Sequence, residues 1–575
     1  MSLSKTWLKF YEDIPHSISY PRISLYERVM QTVEQYPDAI AWDFMGTTST
    51  YRQFAQEIDK FANALTALGF QKGDTITISM PTSPNGVIPI YAVNKLGGIC
   101  SMIHPMSPAP QIKMYLNISK SKWALTLDIF YGQFKKILHE TSVNTLILAK
   151  ATDYLSSPLL RFGYWLKKGR KIPKIVDPQV VWYRSIMQAN NPPAPKVDVQ
   201  PDDPAIILYS GGTTGIPKGI LLSNYNMISE GMMVSAMGKL NHTHSVLAIL
   251  PIFHGFGLGV CVNAAFMAGG KTILVPTFTP QTVAKLIKKT RPNFVNGVPT
   301  LFEALANDPN FQKSNLACLE GAYSGADTLP RKVKEKFEAV VKNCGGSVKL
   351  LEGYGLTEAV TAIMAIPREY YKEGSIGIPF PDMMAKICKM GTTEELPIGQ
   401  EGEICVSGPA VMLGYLDNPE ETAKTLRKHP DGQIWLHTGD IGTMDADGFF
   451  FFKLREKRML KVSGVNVYPN HVEETLRKHP EVDQICVVGV PDKTQMTRVK
   501  AFVVLKKNTA PSEDVKKSIL NFALSQLLKW ECPREIEFRT DLPKTLVGKI
   551  AYKNLEDEEL TKLKQLGTYP FDTQA

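Results

Sequence analysis

The chain has no Cys-x-x-Cys pair, no unbroken apolar run long enough to span a bilayer, no internal repeat and no low-complexity tract. Each absence removes a class of protein. The eight cysteines, at 100, 261, 318, 344, 388, 405, 486 and 532, stand far apart and beside no histidine cluster in sequence. They predict scattered buried thiols of a reducing compartment, not zinc ligands or a disulfide frame. The longest apolar region, 246–270, is broken by Pro251, His254 and several glycines, so it is not a membrane span. Residues 1–11 lack an apolar signal core, which predicts a cytoplasmic protein. Charge of one sign is not in great excess. Sixty-five basic against 56 acidic residues give +9, which favours anionic ligands mildly and excludes nucleic acid as a partner class.

At 575 residues the chain exceeds one hydrophobic core and predicts two to four domains or subdomains. Hydrophobic periodicity predicts helices over 26–35, 51–68 (capped by Thr50) and 87–96, alternating with strands over 39–43 and 74–80. Such alternation implies parallel sheets covered by helices. Residues 200–390 repeat the style, with strands over 205–209, 245–250, 271–275 and 293–298 and a helix over 280–289. From 391 the pattern shifts to short strands with Gly and Asp-Gly turns, 403–407 and 448–453, as in a small barrel or sheet. The C-terminal part resumes with helices over 472–479 and 513–528 and strands over 484–490 and 500–505. The fold class is α/β: a large N-terminal domain of parallel α/β subdomains plus a small β-barrel-like subdomain, then a small α+β C-terminal domain.

Residues 155–174 stand apart. Arg161, Lys167, Lys168, Arg170, Lys171 and Lys174 come with no acid and are interleaved with Phe162, Tyr164 and Trp165. That composition suits weak contact with an anionic bilayer surface and leaves a membrane-peripheral placement open. A solvated surface loop is the preferred expectation, because Pro158, Gly163 and Gly169 should spoil a long amphipathic helix.

Four motifs carry chemistry. Ser210-Gly211-Gly212-Thr213-Thr214-Gly215-Ile216-Pro217-Lys218-Gly219 combines glycines, hydroxyls and a lysine, a composition that cradles an anion such as polyphosphate. It is not the common P-loop, since Pro217 replaces that motif's last glycine and strand-like runs lie on both sides. Glu352-Gly353-Tyr354-Gly355-Leu356-Thr357-Glu358 follows a strand-like run and ends in a hard oxygen donor suited to Mg2+. Asp440 ends the run 435–440 with a carboxylate able to accept from two vicinal ribose hydroxyls. Lys549 sits on a flexible turn after Gly548.

With these motifs in this order, the chain resembles the adenylate-forming superfamily of acyl-CoA synthetases, peptide-synthetase adenylation domains and beetle luciferases. The resemblance runs from about 20 to 555 and is strongest to a fatty acid–CoA ligase. It implies activation of a carboxylate by ATP, with pyrophosphate release, to an acyl-adenylate, then transfer to the thiol of coenzyme A. It also implies the roles. Thr213, Thr214 and Lys218 would hold the β- and γ-phosphates within an ATP-binding loop that includes Ser210, Gly211, Gly212 and Gly215. Ser324-Gly325-Ala326 and Tyr354 would flank adenine, with Thr357 near the α-phosphate and Glu358 on Mg2+. Asp440 and Arg455 would contact ribose. Lys549 would bridge carboxylate and α-phosphate during adenylation. The domains would be 1–454 and a mobile 455–575, with a hinge at Lys457. In a second pose Lys461, Ser463 and Gly464 would face the site and admit the pantetheine arm. Leu454, where relatives place Asp or Gly, departs from the pattern at the hinge.

The stretch 250–257 carries no acid to pair a substrate ammonium, so the acid should lack an α-amino group. His254 and Phe256 match the aromatic gate of acyl- and aryl-CoA ligases. Gly257, Val298 and Gly325 complete an apolar pocket suited to an alkyl tail. A medium- or long-chain fatty acid is the expected substrate. An aryl acid, a carrier-protein thiol in place of CoA, and an inactive nucleotide- or lipid-binding regulator are the alternatives.

Overall fold

A computed structural model describes the chain except residues 1–4, 173, 211–216, 456–457, 459, 463–464, 468, 493–495, 528, 545–549 and 566–575. The chain divides into two compact units. The first holds Met1–Lys386, Cys405–His437 and Asp445–Phe450; the second holds Ile387–Ile404, Thr438–Met444 and Phe451–Ala575.

Local signals set the first unit's helices. Ser24, Thr50 and Ser223 each form a reciprocal capping box at the start of Leu25–Gln35, Tyr51–Ala67 and Asn224–Met237. Each box satisfies two backbone donors that a helix start leaves open. The helices cover two large sheets. In the eight-stranded sheet the order is Gly414–Tyr415, Lys218–Ser223, Pro204–Ser210, Ile99–Met102, Thr75–Ser79, Trp123–Leu127, Thr145–Ala149, Val180–Trp182. Its six strands from Pro204–Ser210 onward run parallel. The nine-stranded sheet runs Ile378–Pro379, Ala362–Ala365, Leu350–Gly355, Gly321–Ser324, Phe294–Gly297, Ser245–Ala248, Lys271–Leu274, Ile40–Phe44, Thr47–Thr50. The central strands are buried on both faces, as parallel sheets require.

Sheet membership differs from chain order. Ile40–Phe44 lies parallel to Lys271–Leu274, and Pro204–Ser210 pairs with Ile99–Met102, so the two sequence blocks exchange strands. Periodicity shows that a strand exists, but its neighbour is chosen by tertiary packing. The short strands expected after 391 are present, as Gly402–Ser407, Leu426–Lys428, Ile434–Met444 and Phe450–Arg455.

The expectation of a loop at 155–174 is overturned. Pro158–Lys167 is a ten-residue helix. Pro158 occupies its first turn, where the missing N–H costs nothing and the fixed φ suits the helix, and the Ser157 side chain accepts from the Leu160 amide. Gly163 is tolerated inside at a cost of about 1 kcal/mol.

In the second unit, Val482–Asp492 pairs antiparallel with Met496–Leu505, and Glu535–Phe538 adds in parallel. Helices Pro469–Leu476, Glu513–Gln526 and Tyr552–Gln565 accompany this sheet. Buried Lys500 holds Glu535, Glu537 and Glu559 at 2.7, 2.9 and 2.8 Å.

Candidate active site

The carboxyl ends of parallel strands in the nine-stranded sheet carry most of the singled-out residues of the first unit, the edge where open α/β sheets bind ligands. Ser324 ends Gly321–Ser324 and registers with Gly297 on one side and Glu352 on the other. Gly325 donates its amide to Gly297 O at 3.0 Å, and Val298 follows as the residue before helix Pro299–Asn307. The Ser324 hydroxyl is buried without a hydrogen-bond partner among the described residues. Ala326 adopts φ 70°. Tyr354, 9% exposed, lies on Leu350–Gly355.

His254 and Phe256 meet this edge. After Ser245–Ala248 the chain turns through 250–255 into a helix wider than an α-helix, Phe256–Asn263, of the kind that recurs at functional sites. Phe256 donates its amide to His254 Nδ1 at 3.2 Å. A Cβ built on Gly325 would sit 3.3 Å from the Phe256 ring and 3.2 Å from Gly353 O, which places Phe256 beside both turns. Residues 355–361 are held by close approach. Cβ atoms at Gly255 and Gly355 would overlap the Val360 and Thr361 carbonyls. Between them Val360 sits at φ 63°, ψ −64°, a costly conformation for a β-branched residue that only over-determined packing sustains.

Lys218 and Glu358 come together at Tyr415, which sequence reasoning passed over, as it did the Lys218 partner Glu421. Lys218 starts strand Lys218–Ser223, registers with Ser210, pairs with Glu421, and lies 4.9 Å from the centre of the Tyr415 ring. The Tyr415 hydroxyl donates to Glu358 Oε1 at 2.9 Å. Burial, reinforced by Glu358, raises the Tyr415 phenol. Thr357 opens a single turn, Thr357–Ala359. The one available signal was the helix start Asn418-Pro419-Glu420-Glu421, which fixes Glu421 in the first turn of Pro419–Thr425.

Glu230 was also missed. It lies on Asn224–Met237, is fully buried, and has no hydrogen bond of good geometry at either oxygen, although the Ala362 amide faces it. A Cβ on Gly259 would meet Glu230 Oε2 at 2.8 Å, so the carboxyl packs on the helix that begins at Phe256. Burial pushes its pKa well above the carboxylate range, which favours the protonated acid over the charged form. A lone Glu within the otherwise uncharged run 224–237 was the visible sign.

Six cysteines are buried and two half-buried, and all are free thiols. Cys405 departs from isolation, because folding brings together what sequence separates. Cys405 Sγ lies 3.5 Å from His437 Nδ1, and His437 Nε2 lies 2.9 Å from His429 Nε2. Burial pushes His429 down to about 4.

In the second unit Asp440 is buried, and its amide donates to Thr438 Oγ1 at 3.0 Å. Gly211, Gly212, Thr213, Thr214, Gly215, Lys457, Ser463, Gly464 and Lys549 lie outside the described residues, as do the side chains of Arg455 and Lys461.

Comparison defines the class. The AMP-binding enzyme family model matches residues 29–416, and the AMP-binding enzyme C-terminal domain model matches 471–549. The chain belongs to the AMP-binding enzyme family. Among its relatives is a long-chain-fatty-acid–CoA ligase of Bacillus subtilis (strain 168), 36% identical over 97% of this chain and 99% of that one. A probable 4-coumarate–CoA ligase of Dictyostelium discoideum is 31% identical over 95% and 98%. Among solved structures, ATP-bound MatB from Rhodopseudomonas palustris superposes with a TM-score of 0.81 at 25% identity, covering 94% of this chain and 99% of that one.

Proposed function

We propose that the protein is an AMP-forming acid–thiol ligase that activates a long-chain fatty acid with ATP and passes the acyl group to coenzyme A. Full-length similarity to long-chain-fatty-acid–CoA ligases carries this reading. The apolar helix Phe256–Asn263, with no charged residue, agrees with an alkyl substrate lacking an ammonium.

In this reading Lys218 and the 210–215 loop orient the leaving pyrophosphate. Ser324, Gly325, Ala326 and Tyr354 seat adenine, and Asp440 and Arg455 hold ribose. The orphaned Ser324 hydroxyl, on a turn beside Phe256 and Gly353, supports a ligand at that edge. Glu358, with Thr357 beside it, is the donor that fits Mg2+, which would neutralise phosphate charge. Tyr415, by donating to Glu358, positions its carboxylate. Lys218 exchanges its partner Glu421 for phosphate when nucleotide enters. His254 and Phe256 gate the acid. Lys549 brings the cation that joins two anions during adenylation. A domain boundary at 455 with Lys457 as hinge would then let Lys461, Ser463 and Gly464 replace it for thioester formation.

Acid-dependent ATP–pyrophosphate exchange across acids of graded length and aromaticity tests the reading. Exchange should peak with long alkyl chains; a peak with aryl acids, or none, overturns it. Lys549→Ala should lower exchange by about 10²-fold or more while sparing thioester formation from supplied acyl-adenylate. Equal loss in both steps would refute the two-pose assignment.

A further inference from the structure

The helix Pro158–Lys167 buries none of its residues. Leu159, Phe162, Trp165 and Leu166 are 81, 58, 52 and 39% exposed. At about 100° per residue these four fall within one stripe, roughly a third of the helix circumference. Phe162 and Trp165 stack at 6.0 Å, so the stripe is a continuous aromatic-aliphatic face and not a set of isolated side chains. Exposed Arg161 and Lys167 flank it, and exposed Lys168, Arg170 and Lys174 follow, with no acid anywhere in 155–174. Beside the helix opens a cleft of about 790 Å3, lined by Lys135, Lys167, Lys168 and Lys174 against the single acid Asp128. Val176, 82% exposed, extends the apolar rim. No helix among the described residues is long and apolar enough to cross a membrane.

We propose that Pro158–Lys167 and the lysine-lined cleft beside it dock the protein on an anionic bilayer surface. A contiguous exposed apolar face marks an interaction site, and its cationic border selects an occupant that is apolar inside and anionic at its surface. Leu159, Phe162, Trp165 and Leu166 enter the boundary between headgroups and acyl chains, while Arg161, Lys167, Lys168, Arg170 and Lys174 meet lipid phosphates. Leu155, 5% exposed and part of the main core, anchors the start of the segment, and the Arg161 guanidinium donates to its carbonyl at 2.5 Å. The helix is therefore tied to the protein at its base and presents its stripe outward. Long-chain acids partition into bilayers, so on the fatty-acid reading docking places the enzyme where its substrate concentrates.

Co-sedimentation with vesicles of phosphatidylglycerol and phosphatidylcholine in equal parts, run without acid, ATP or CoA, stands apart from that reading. The full-length protein should bind these vesicles. Its partitioning should fall about tenfold or more on pure phosphatidylcholine, and by a similar factor in the Phe162→Ser/Trp165→Ser and Lys167→Glu/Lys168→Glu variants. An unchanged melting temperature shows that the variants are folded. Equal partitioning to both vesicle types, or a serine variant that binds like the parent, overturns the proposal. So does the finding, by equilibrium sedimentation without vesicles, that the stripe is instead buried in a dimer which the serine variant dissociates.

Discussion

Two apolar helices of this chain meet opposite fates. Phe256–Asn263 buries every residue from Gly257 onward, whereas Pro158–Lys167 buries none. Charge is one difference, since Phe256–Asn263 carries none and Pro158–Lys167 carries Arg161 and Lys167. The size of the residues along each surface is another. The 255–259 segment carries three glycines, against which the Val360 carbonyl, the Pro251 carbonyl and the Glu230 carboxyl pack in close contact, while Phe162 and Trp165 project from the other helix with cations at its border. One surface is shaped to be covered by its own chain, and the other is shaped to be covered by something else.

The comparison can be broken first at its tightest contact. Gly355→Ala drives a Cβ into the Thr361 carbonyl and pushes against the strained Val360. Acid-dependent exchange should fall by about 10²-fold or more, or the protein should fail to fold, since overlap with backbone is not relieved by side-chain motion. Near-normal exchange would mean that the 355–361 turn is looser than described.

A smaller effect comes from the carboxyl behind the buried helix. Burial favours the protonated form of Glu230 in the folded protein, whereas its carboxyl ionises in the unfolded chain above the ordinary value of 4.5. The unfolded state then binds fewer protons, so the native state loses about 1.4 kcal/mol per pH unit from 4.5 up to the folded pKa. Glu230→Gln removes this loss. Its melting temperature should exceed the parent's by a margin that widens as pH rises above about 5; a constant margin would show that the folded protein does not raise the Glu230 pKa. The smallest effect is expected on the exposed helix. Phe162→Ser/Trp165→Ser should change stability by only about 0.5 kcal/mol per site, because neither side chain is buried in the free protein.

These contrasts also mark what the sequence made legible. Thr50 as a cap, the strands around 205–209 and 294–297, and the strand that follows at Lys218 came from local rules, because capping and alternation act within a few residues. Ser324, Gly325, Tyr354, Thr357 and Glu358 could be singled out by family resemblance, and the structure sets the first unit's members of that group along one sheet edge. Tyr415, Glu421 and Glu230 could not be singled out. Tyr415 touches Glu358 across 57 positions and Lys218 pairs with Glu421 across 203, separations that no window spans. The same limit hid the Cys405–His437–His429 contact and the exchange of strands between sheets. The helix at 158–167 was misjudged for a local reason, since proline counts as a breaker inside a helix and as a starter in its first turn.

The central claim is that carboxylate, ATP and CoA meet on this chain to yield a thioester. Incubating the protein with a long-chain fatty acid, ATP, Mg2+ and CoA and resolving the products by mass spectrometry tests it directly. Acyl-CoA, AMP and pyrophosphate should appear in equal amounts, with acyl-adenylate accumulating when CoA is withheld. Adenylate that persists in the presence of CoA, or ADP in place of AMP, would contradict it.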